Sequence, residues 1–399
     1  MESHTELAVL GILACVIVYS LLTKAISRSV ITLPMIFTAI GFLAASPISM
    51  AATPEILHGA KRILAELTLV LVLFADASNV KLAQLRTHIQ LPLRLLIIGL
   101  PLTMAMGTAV VFGLNPAGGV AMALLTTALL TPTDAALGQV VVSSSLVPER
   151  LSQTINFESG LNDGLVLPFV LLGAVGAAVG FSSNQIETIG TMALYQLCVA
   201  PILGLAIGWG TAQLLNGARS RDLVEESAQG VVFLTTAFIA YLSAEAIGAN
   251  GFIAAFLAGA VFGNSYRQET HFIREFMEGN GQLLTMAAFF IFGALLLPDG
   301  IEHLTPLALI TAVLFLTIVR ILPVWIALLG TGLPLREKLF LGWFGPRGLA
   351  SILFTAVIVD EYEFMHESEL VSCISMTVFL SIILHGLTAA PLVKQISKS

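Results

Sequence analysis

The stretch Ala123-Leu-Leu-Thr-Thr-Ala-Leu-Leu-Thr-Pro-Thr-Asp134 places a proline and a carboxylate inside a long apolar run. Pro132 lacks a backbone N–H and clashes with the preceding turn, so a helix through this run should break there. A second run, Leu341-Gly-Trp-Phe-Gly-Pro-Arg-Gly-Leu-Ala350, has a proline flanked by glycines, Pro346. The two stretches therefore predict two interrupted helices, each with a charged residue beside its break.

The rest of the chain has the composition of a protein that lies in lipid. Hydrophobic residues make up 57% of its 399 residues and charged residues 11%, against roughly 25% charged in soluble domains. Apolar runs of about 20 residues, enough to cross a bilayer, recur throughout. We predict an all-α polytopic membrane protein, a single transmembrane domain over residues 1–399 with no soluble regulatory domain. Its thirteen predicted spans are 6–23, 30–48, 63–80, 91–113, 118–142, 155–180, 186–213, 227–247, 250–264, 283–298, 306–330, 337–360 and 369–393.

The basic residues of the short loops predict the orientation. Lys and Arg concentrate on the cytoplasmic side of multi-pass proteins. Of the 18 Lys and Arg residues, fourteen lie in alternate loops that would share one side, whereas the opposite loops hold only Lys61 and Arg62. This pattern predicts an N-terminus outside and a C-terminus in the cytoplasm, in the cell inner membrane.

The two interrupted spans are seven apart, so they should cross the membrane in opposite directions. An inverted repeat of residues 6–180 against 227–393, joined by span 186–213, would produce this arrangement. Interrupted helices in corresponding positions of such repeats point to a transporter binding site. Proline and glycine also simply kink membrane helices, but the charge beside each break favours a site.

Six charged residues lie inside predicted spans and away from their ends. A charge at bilayer depth costs at least about 2.5–3.5 kcal/mol on insertion scales, so these side chains should face the protein interior and pair. A structural ion pair is the favoured interpretation for Arg320, with Glu66 as a candidate partner. The carboxylates outnumber the guanidinium groups, so the surplus needs protons or a cation. The six are Asp76, Asp134, Glu158, Asp163, Arg320 and Arg347.

The start of the sixth span, Glu158-Ser-Gly-Leu-Asn-Asp-Gly164, gathers oxygen atoms on one helix face. Residues three and four apart share a face, which groups Ser159 with Asn162 and Asp163. Hard cations such as Na⁺ prefer several oxygen ligands, and the interrupted span could add Thr133 and Asp134. This face is therefore the candidate cation site.

One carboxylate at such a site can carry a proton or help to hold a cation, but hardly both, because a bound cation favours the ionised form. That competition predicts exchange, and Asp163 is the candidate for the exchanging group. We expect Glu158 to be held ionised by Arg347, which would remove it from proton traffic. If only Asp163 changes charge, exchange is electroneutral with a 1:1 stoichiometry.

These motifs resemble those of the cation:proton antiporter 1 family, in its NhaP-type prokaryotic branch, related to the animal sodium/proton exchangers. The stretch 158–164 looks like the family's E-S-x-x-N-D-G signature. Leu130-Thr-Pro-Thr-Asp134 looks like its S-P-T-D-P element, with Ala135 in place of the second proline, and Gly345-Pro-Arg-Gly348 looks like its G-x-R-G element. Gly251 to Gly259 and Leu73 to Ala77 match more weakly.

The resemblance implies a Na⁺/H⁺-antiporter fold with a core domain, a dimerisation domain and alternating access. It implies a homodimer and an exchange of Na⁺, or secondarily Li⁺, for H⁺. Asn162 marks the electroneutral type, and Glu158 with Arg347 looks like the family's structural ion pair. The ion- and proton-binding positions implied are Asp163, Asp134, Thr133, Ser159 and, less closely matched, Asp76.

Several alternatives remain open from the sequence. K⁺/H⁺ exchange on the same fold differs only in cavity size and flexibility. A sodium-coupled organic-anion symporter would need donors for a carboxylate, whereas this site is rich in acids, and a channel or sensor has less need of buried titrating groups. The sequence contains no enzyme motif and no basic patch for nucleic acid. We therefore expect neither enzymatic activity, nor a cofactor, nor a nucleic-acid partner.

Overall fold

The computed structural model describes residues 2–26, 29, 31–51, 54–80, 90–142, 144–179, 183–267 and 271–397. Every regular element in these ranges is helical. The α-helices, numbered in chain order, are α1 (Glu2–Ile26), α2 (Leu33–Ala51), α3 (Pro54–Asn79), α4 (Gln90–Arg94), α5 (Leu100–Leu114), α6 (Gly119–Leu130), α7 (Ala135–Val142), α8 (Glu149–Val179), α9 (Ser183–Ser220), α10 (Glu226–Glu245), α11 (Gly251–Ser265), α12 (His271–Ile291), α13 (Leu297–Glu302), α14 (Pro306–Leu316), α15 (Ile318–Ala327), α16 (Leu335–Trp343), α17 (Leu349–Glu361) and α18 (Glu367–Ile396).

All thirteen predicted spans coincide with one of these helices or with two in succession. Three spans are built from two separate helices: α6 with α7, α14 with α15, and α16 with α17. Two more, α4 with α5 and α12 with α13, are continuous through a π-helical turn at Leu95–Gly99 and Phe292–Leu296. Over the described ranges, seven helical stretches are long and apolar enough to cross a membrane, and four shorter apolar helices accompany them. The predicted fold class is confirmed. The predicted loop 81–89, with Lys81 and Arg86, lies outside the described residues.

Both predicted interruptions are present. The first separates α6 from α7 at residues 131–134, and the second separates α16 from α17 at residues 344–348. In each case the proline removes a backbone donor that the helix would need, and at the second break the flanking glycines tolerate the irregular backbone. Both breaks lie in the protein interior, where the freed backbone groups need partners within the protein.

A third interruption was not predicted. Thr317, between α14 and α15, has φ −119° and ψ −92°, well outside helical values. Its hydroxyl donates to the carbonyl oxygen of Val313 at 2.6 Å, and such a bond from a threonine to the carbonyl four residues earlier often bends a helix. The bend precedes Arg320 by three residues and sets the direction in which that side chain leaves α15.

Small residues let the helices around α8 approach closely. A methyl group on Gly164 would overlap the ring of Phe256 in α11, and one on Gly173 would overlap the backbone of Leu125 in α6. A methyl group on Gly160 would touch the backbone carbonyl of Asp76 in α3. Since glycine allows such approaches, α8 lies against α3, α6 and α11 at the same time.

The pairing of α3 with α11 is equally close. Methyl groups on Gly259 and Gly263 would overlap the backbone carbonyls of Phe74 and Ser78. Glycines four residues apart in α11 therefore form a flat strip along α3. This contact fixes the position of Asp76 along α3, since Asp76 lies midway between Phe74 and Ser78, two residues from each.

Candidate functional site

The two interrupted helices cross at Asp134. One carboxylate oxygen of Asp134 accepts a hydrogen bond from the backbone N–H of Leu349 at 2.7 Å, and the other accepts from Leu137 N–H at 3.3 Å. The backbone N–H of Asp134 donates to the carbonyl oxygen of Pro346 at 2.8 Å. Asp134 thus caps the first turns of α7 and α17, where a negative charge is favoured by the helix dipole.

Arg347 performs the complementary task for α6. Its Nη1 donates to the carbonyl oxygen of Thr131 and to that of Pro132 at 3.1 Å. These carbonyls lie at the C-terminal end of α6, where a positive charge is favoured. Each interrupted span therefore supplies the charged group that compensates a helix end of the other. Because Arg347 is fully buried, water cannot take its place as the donor to these carbonyls.

Ser381 and His385 of α18 serve the backbone at the second break. The hydroxyl of Ser381 accepts from Arg347 N–H at 2.7 Å, and His385 Nε2 lies 2.9 Å from the carbonyl oxygen of Trp343. His385 Nδ1 also lies 3.1 Å from the Ser381 hydroxyl. His385 is therefore a hydrogen-bonded packing residue, which is what its place in an apolar span favours.

The polar face predicted on α8 is present and buried. Ser159, Asn162 and Asp163 are each 5% exposed or less, and so is Thr133. The hydroxyl of Thr133 accepts a hydrogen bond from Asn162 Nδ2 at 2.7 Å and lies 3.0 Å from the hydroxyl of Ser159. The first break and α8 are thereby joined by a chain of three polar side chains beside Asp163.

Three carboxylates meet near this chain. Asp163 interacts electrostatically with both Asp76 and Asp134, and Asp76 interacts with Asp134. Asp76 is half-buried, whereas the other two are buried. Over the described residues, no three His, Cys, Asp or Glu side chains converge closely enough to hold a metal ion by themselves. A cation here would need neutral oxygens as well as carboxylates.

Glu158 is paired with Arg320 and not, as the sequence led us to expect, with Arg347. Arg320 Nη1 and Nη2 lie 2.5 and 2.8 Å from the two carboxylate oxygens of Glu158, and both side chains are 6% exposed. The expectation fails because Arg347 is directed at the end of α6, while the bend at Thr317 turns Arg320 toward α8. A methyl group on Gly345 would overlap the Arg320 guanidinium.

The suggested pairing of Arg320 with Glu66 is also wrong. Glu66 accepts from Arg62 Nε at 2.8 Å, on the same face of α3. Arg62 in turn lies 3.4 Å from a carboxylate oxygen of Asp360 at the end of α17.

The charges at the crossing do not balance. With Glu158 and Arg320 neutralising each other, three carboxylates face one guanidinium group, that of Arg347. Uncompensated charges are costly in a buried environment. The cluster therefore favours bound protons or a bound cation.

Two crossing interrupted helices around a buried, oxygen-rich cluster define the class of membrane transport folds that bind their substrate at helix breaks. The fold is similar to that of the sodium proton antiporter MjNhaP1 from Methanocaldococcus jannaschii. The TM-score is 0.76, with 18% sequence identity over 99% of this chain and 100% of that chain.

The family model described as "Sodium/hydrogen exchanger, transmembrane" matches residues 13–395. The chain belongs to this family. It is 26% identical, over 345 residues, to the K(+)/H(+) antiporter NhaP2 of Shewanella sp. (strain MR-4), covering 84% of this chain and 57% of that protein. It is 23% identical, over 408 residues, to the K(+)/H(+) antiporter NhaP of Alkalimonas amylolytica, covering 98% and 67%. The chain thus spans little more than half the length of the NhaP2 relative.

Proposed function

We propose that this protein exchanges a monovalent cation, with Na⁺ favoured and Li⁺ second, for H⁺ by alternating access. The observation that carries the proposal is the buried group of Asp163, Ser159, Asn162 and Thr133 at the crossing of the two breaks. It offers hydroxyl, amide and carboxylate oxygens, the ligands of hard cations. Membership of the sodium/hydrogen exchanger family supports the same function.

Competition at one carboxylate accounts for the exchange. Glu158 is neutralised by Arg320, and Asp134 is occupied as a helix cap. Asp163 remains free to lose its proton when a cation binds, with Asp76 and Asp134 as further charges close by. A proton and a cation that alternate on Asp163 give a 1:1, electroneutral cycle, provided that the empty ionised site reorients slowly. Turnover that responds to membrane voltage would count against this cycle.

We assign the following roles to the individual residues of this site. Asp163, Asp134, Thr133, Ser159 and Asp76 form the ion- and proton-binding group. Asn162 and the pair of Glu158 with Arg320 support it, and Arg347 stabilises the crossing of the breaks around Pro132 and Pro346.

K⁺ is the second candidate cation. The two NhaP relatives bear the name K(+)/H(+) antiporter, whereas the structural relative is a sodium proton antiporter. Every ligand at the site is an oxygen, which suits both ions, so selectivity rests on the size and rigidity of the cavity.

The cellular setting is proposed from the same features. We place the chain in the cell inner membrane as a homodimer, with its N-terminus outside and its C-terminus in the cytoplasm. We also propose that the chain contains inverted repeats over 6–180 and 227–393, joined by span 186–213. Its helices would form a core domain and a dimerisation domain that move relative to each other.

Ion-driven proton movement in proteoliposomes tests the function. A pH-sensitive dye trapped in the vesicles should report proton movement when Na⁺ or Li⁺ is added outside, and a parallel series with K⁺ identifies the preferred cation. Asp163→Asn should abolish the signal, whereas Asp222→Asn, at an exposed turn, should leave it unchanged. Retained exchange in Asp163→Asn would reassign the exchanging group.

A further inference from the structure

Helix α18 holds the second interruption at both of its edges. His385 Nε2 lies 2.9 Å from the carbonyl oxygen of Trp343, the last residue of α16. One turn earlier on α18, the hydroxyl of Ser381 accepts a hydrogen bond from the backbone N–H of Arg347 at 2.7 Å. Ser381 and His385 are 0% and 1% exposed, so both contacts lie away from bulk solvent.

The hydrogen bonds assign one tautomer to His385. A carbonyl oxygen only accepts, so Nε2, which faces the Trp343 carbonyl, carries the hydrogen. In a neutral imidazole Nδ1 then accepts, and it lies 3.1 Å from the Ser381 hydroxyl. Nδ1 also lies 3.0 Å from the Ser381 carbonyl oxygen, a contact that only a protonated Nδ1 would turn into a hydrogen bond.

The surroundings of His385 favour the neutral imidazole. Arg320 and Arg347 both interact with it electrostatically, and a third positive charge beside two buried guanidinium groups is unfavourable. A chain of hydrogen bonds therefore runs from Arg347 N–H through Ser381 and His385 to the carbonyl oxygen of Trp343.

We propose that Ser381 and His385 are positioning residues of the exchange, which hold the second break so that the Arg347 guanidinium keeps its place near Asp163. This inference rests on the proposed exchange. Neither side chain of α18 is itself a cation ligand or a proton carrier. Their effect reaches Asp163 because its carboxylate and the Arg347 guanidinium interact electrostatically, and a buried N–H that loses its acceptor is costly enough to shift the backbone of the break.

The pH dependence of exchange reports such a shift. A nearby positive charge favours the ionised form of a carboxylate. If the guanidinium moves away, Asp163 should hold its proton more tightly, and exchange should need a higher pH. The other charges near Asp163 are Asp76 of α3 and Asp134 of the first break, while Glu158 is paired with Arg320. Substitutions in α18 leave all of these charges in place, so a shifted pH profile reports the position of the guanidinium.

The experiment measures exchange in proteoliposomes of the full chain at a fixed, subsaturating Na⁺ concentration, over a series of pH values. The readout is the pH of half-maximal exchange. Ser381→Ala removes the acceptor of Arg347 N–H, and His385→Leu removes the donor and the acceptor of the imidazole. We expect each variant to raise this pH by about 0.5 unit, roughly a threefold change in proton affinity. The maximal rate at alkaline pH should stay within about threefold of wild type.

Three further variants separate positioning from packing. His385→Gln keeps a side-chain donor and acceptor and should shift the pH of half-maximal exchange less than His385→Leu does. Ser381→Ala combined with His385→Leu should shift it no more than the larger single shift, because both residues act through one chain of hydrogen bonds. Ser372→Ala is the matched control, since Ser372 is also fully buried on α18 but donates to the carbonyl oxygen of Gly300. It should leave the pH profile unchanged.

Melting temperatures in detergent show which variants fold. Should Ser381→Ala not fold, Ser381→Cys replaces it, and the weaker acceptor strength of sulfur should give a smaller shift in the same direction. Folded variants of Ser381 and His385 that lose stability but keep the wild-type pH profile would overturn the inference, as would an equal shift in Ser372→Ala. A wild-type protein in which neither Na⁺, Li⁺ nor K⁺ drives proton movement would instead overturn the proposed function itself.

Discussion

Asp134, in the first interrupted span, caps the second interrupted span at Leu349, with 2.7 Å between its carboxylate oxygen and the backbone nitrogen. Arg347 returns the contact by binding the carbonyls of Thr131 and Pro132. The two breaks therefore share their hydrogen bonds, and neither can be displaced without leaving buried backbone groups of the other unpaired. We expect the crossing to behave as one rigid unit.

Removing the charge of the cap should weaken this unit. Asp134→Asn keeps one oxygen for Leu349 N–H but loses the interaction of a negative charge with the start of α17. The expected loss of stability is about 1 kcal/mol, seen as a lower melting temperature in detergent. Asp222→Asn makes the same chemical change at an exposed turn and should have no effect. Equal melting temperatures of the two variants would argue against the cap.

The buried pair of Glu158 and Arg320 predicts strong coupling between two residues 162 positions apart. Glu158→Gln or Arg320→Gln alone leaves one buried charge without its partner, which costs about 3–5 kcal/mol. The double variant should lose much less stability than the sum of the losses in the two single variants. A double-mutant cycle on thermal stability measures the difference.

The matching cycle of Glu158→Gln with Arg347→Gln should show a smaller coupling, since Arg347 donates to carbonyls of α6 and interacts with the Glu158 carboxylate only electrostatically, without a hydrogen bond. A larger coupling of Glu158 to Arg347 than to Arg320 would restore the pairing that the sequence suggested.

The sequence predicted the features of this site that depend on local chemistry, but not those that depend on how distant helices pack together. The spans and the first two breaks follow from local chemistry: apolar runs of bilayer length, and prolines that cannot continue a helix. The grouping of Ser159, Asn162 and Asp163 follows from helical periodicity alone.

The choice between Arg320 and Arg347 as the partner of Glu158 could not be made in that way. The choice depends on the rotation of α15 about its axis, which is set by the bend at Thr317. No proline or glycine at this position indicates a bend in the sequence. The local feature at this position is the threonine hydroxyl bonded to Val313, and Thr127 and Thr377 make the same bond inside unbroken helices. Ser381 was missed for a similar reason: a serine in an apolar span becomes recognisable as a partner only when the break facing it is known.

The close contact of α11 with α3 gives a prediction about packing. Gly259→Ala should cost about 1–3 kcal/mol, because the added methyl group overlaps the backbone carbonyl of Phe74, which cannot move aside. Gly210→Ala in α9 meets nothing within 4 Å and should be neutral or stabilising by up to about 1 kcal/mol. Melting temperatures of the two purified variants check the contrast, and a neutral Gly259→Ala would mean that the helices lie further apart.

Competition between a proton and a cation predicts the pH dependence of transport. As pH falls, protons occupy Asp163 and the apparent KM for the cation should rise, by about tenfold per pH unit at the acid limit if one proton competes with one cation. Vmax at saturating cation should change much less. A KM that stays constant across the acid range, with a falling Vmax, would point to a proton site separate from the cation site.

The proposed exchange requires Asp163 to give up its proton when the cation binds. The most direct test counts protons released into weakly buffered detergent solution when Na⁺ is added to the purified protein. We expect about one proton per bound Na⁺ in the wild type and none in Asp163→Asn. Na⁺ binding without proton release, or release that persists in Asp163→Asn, would contradict it.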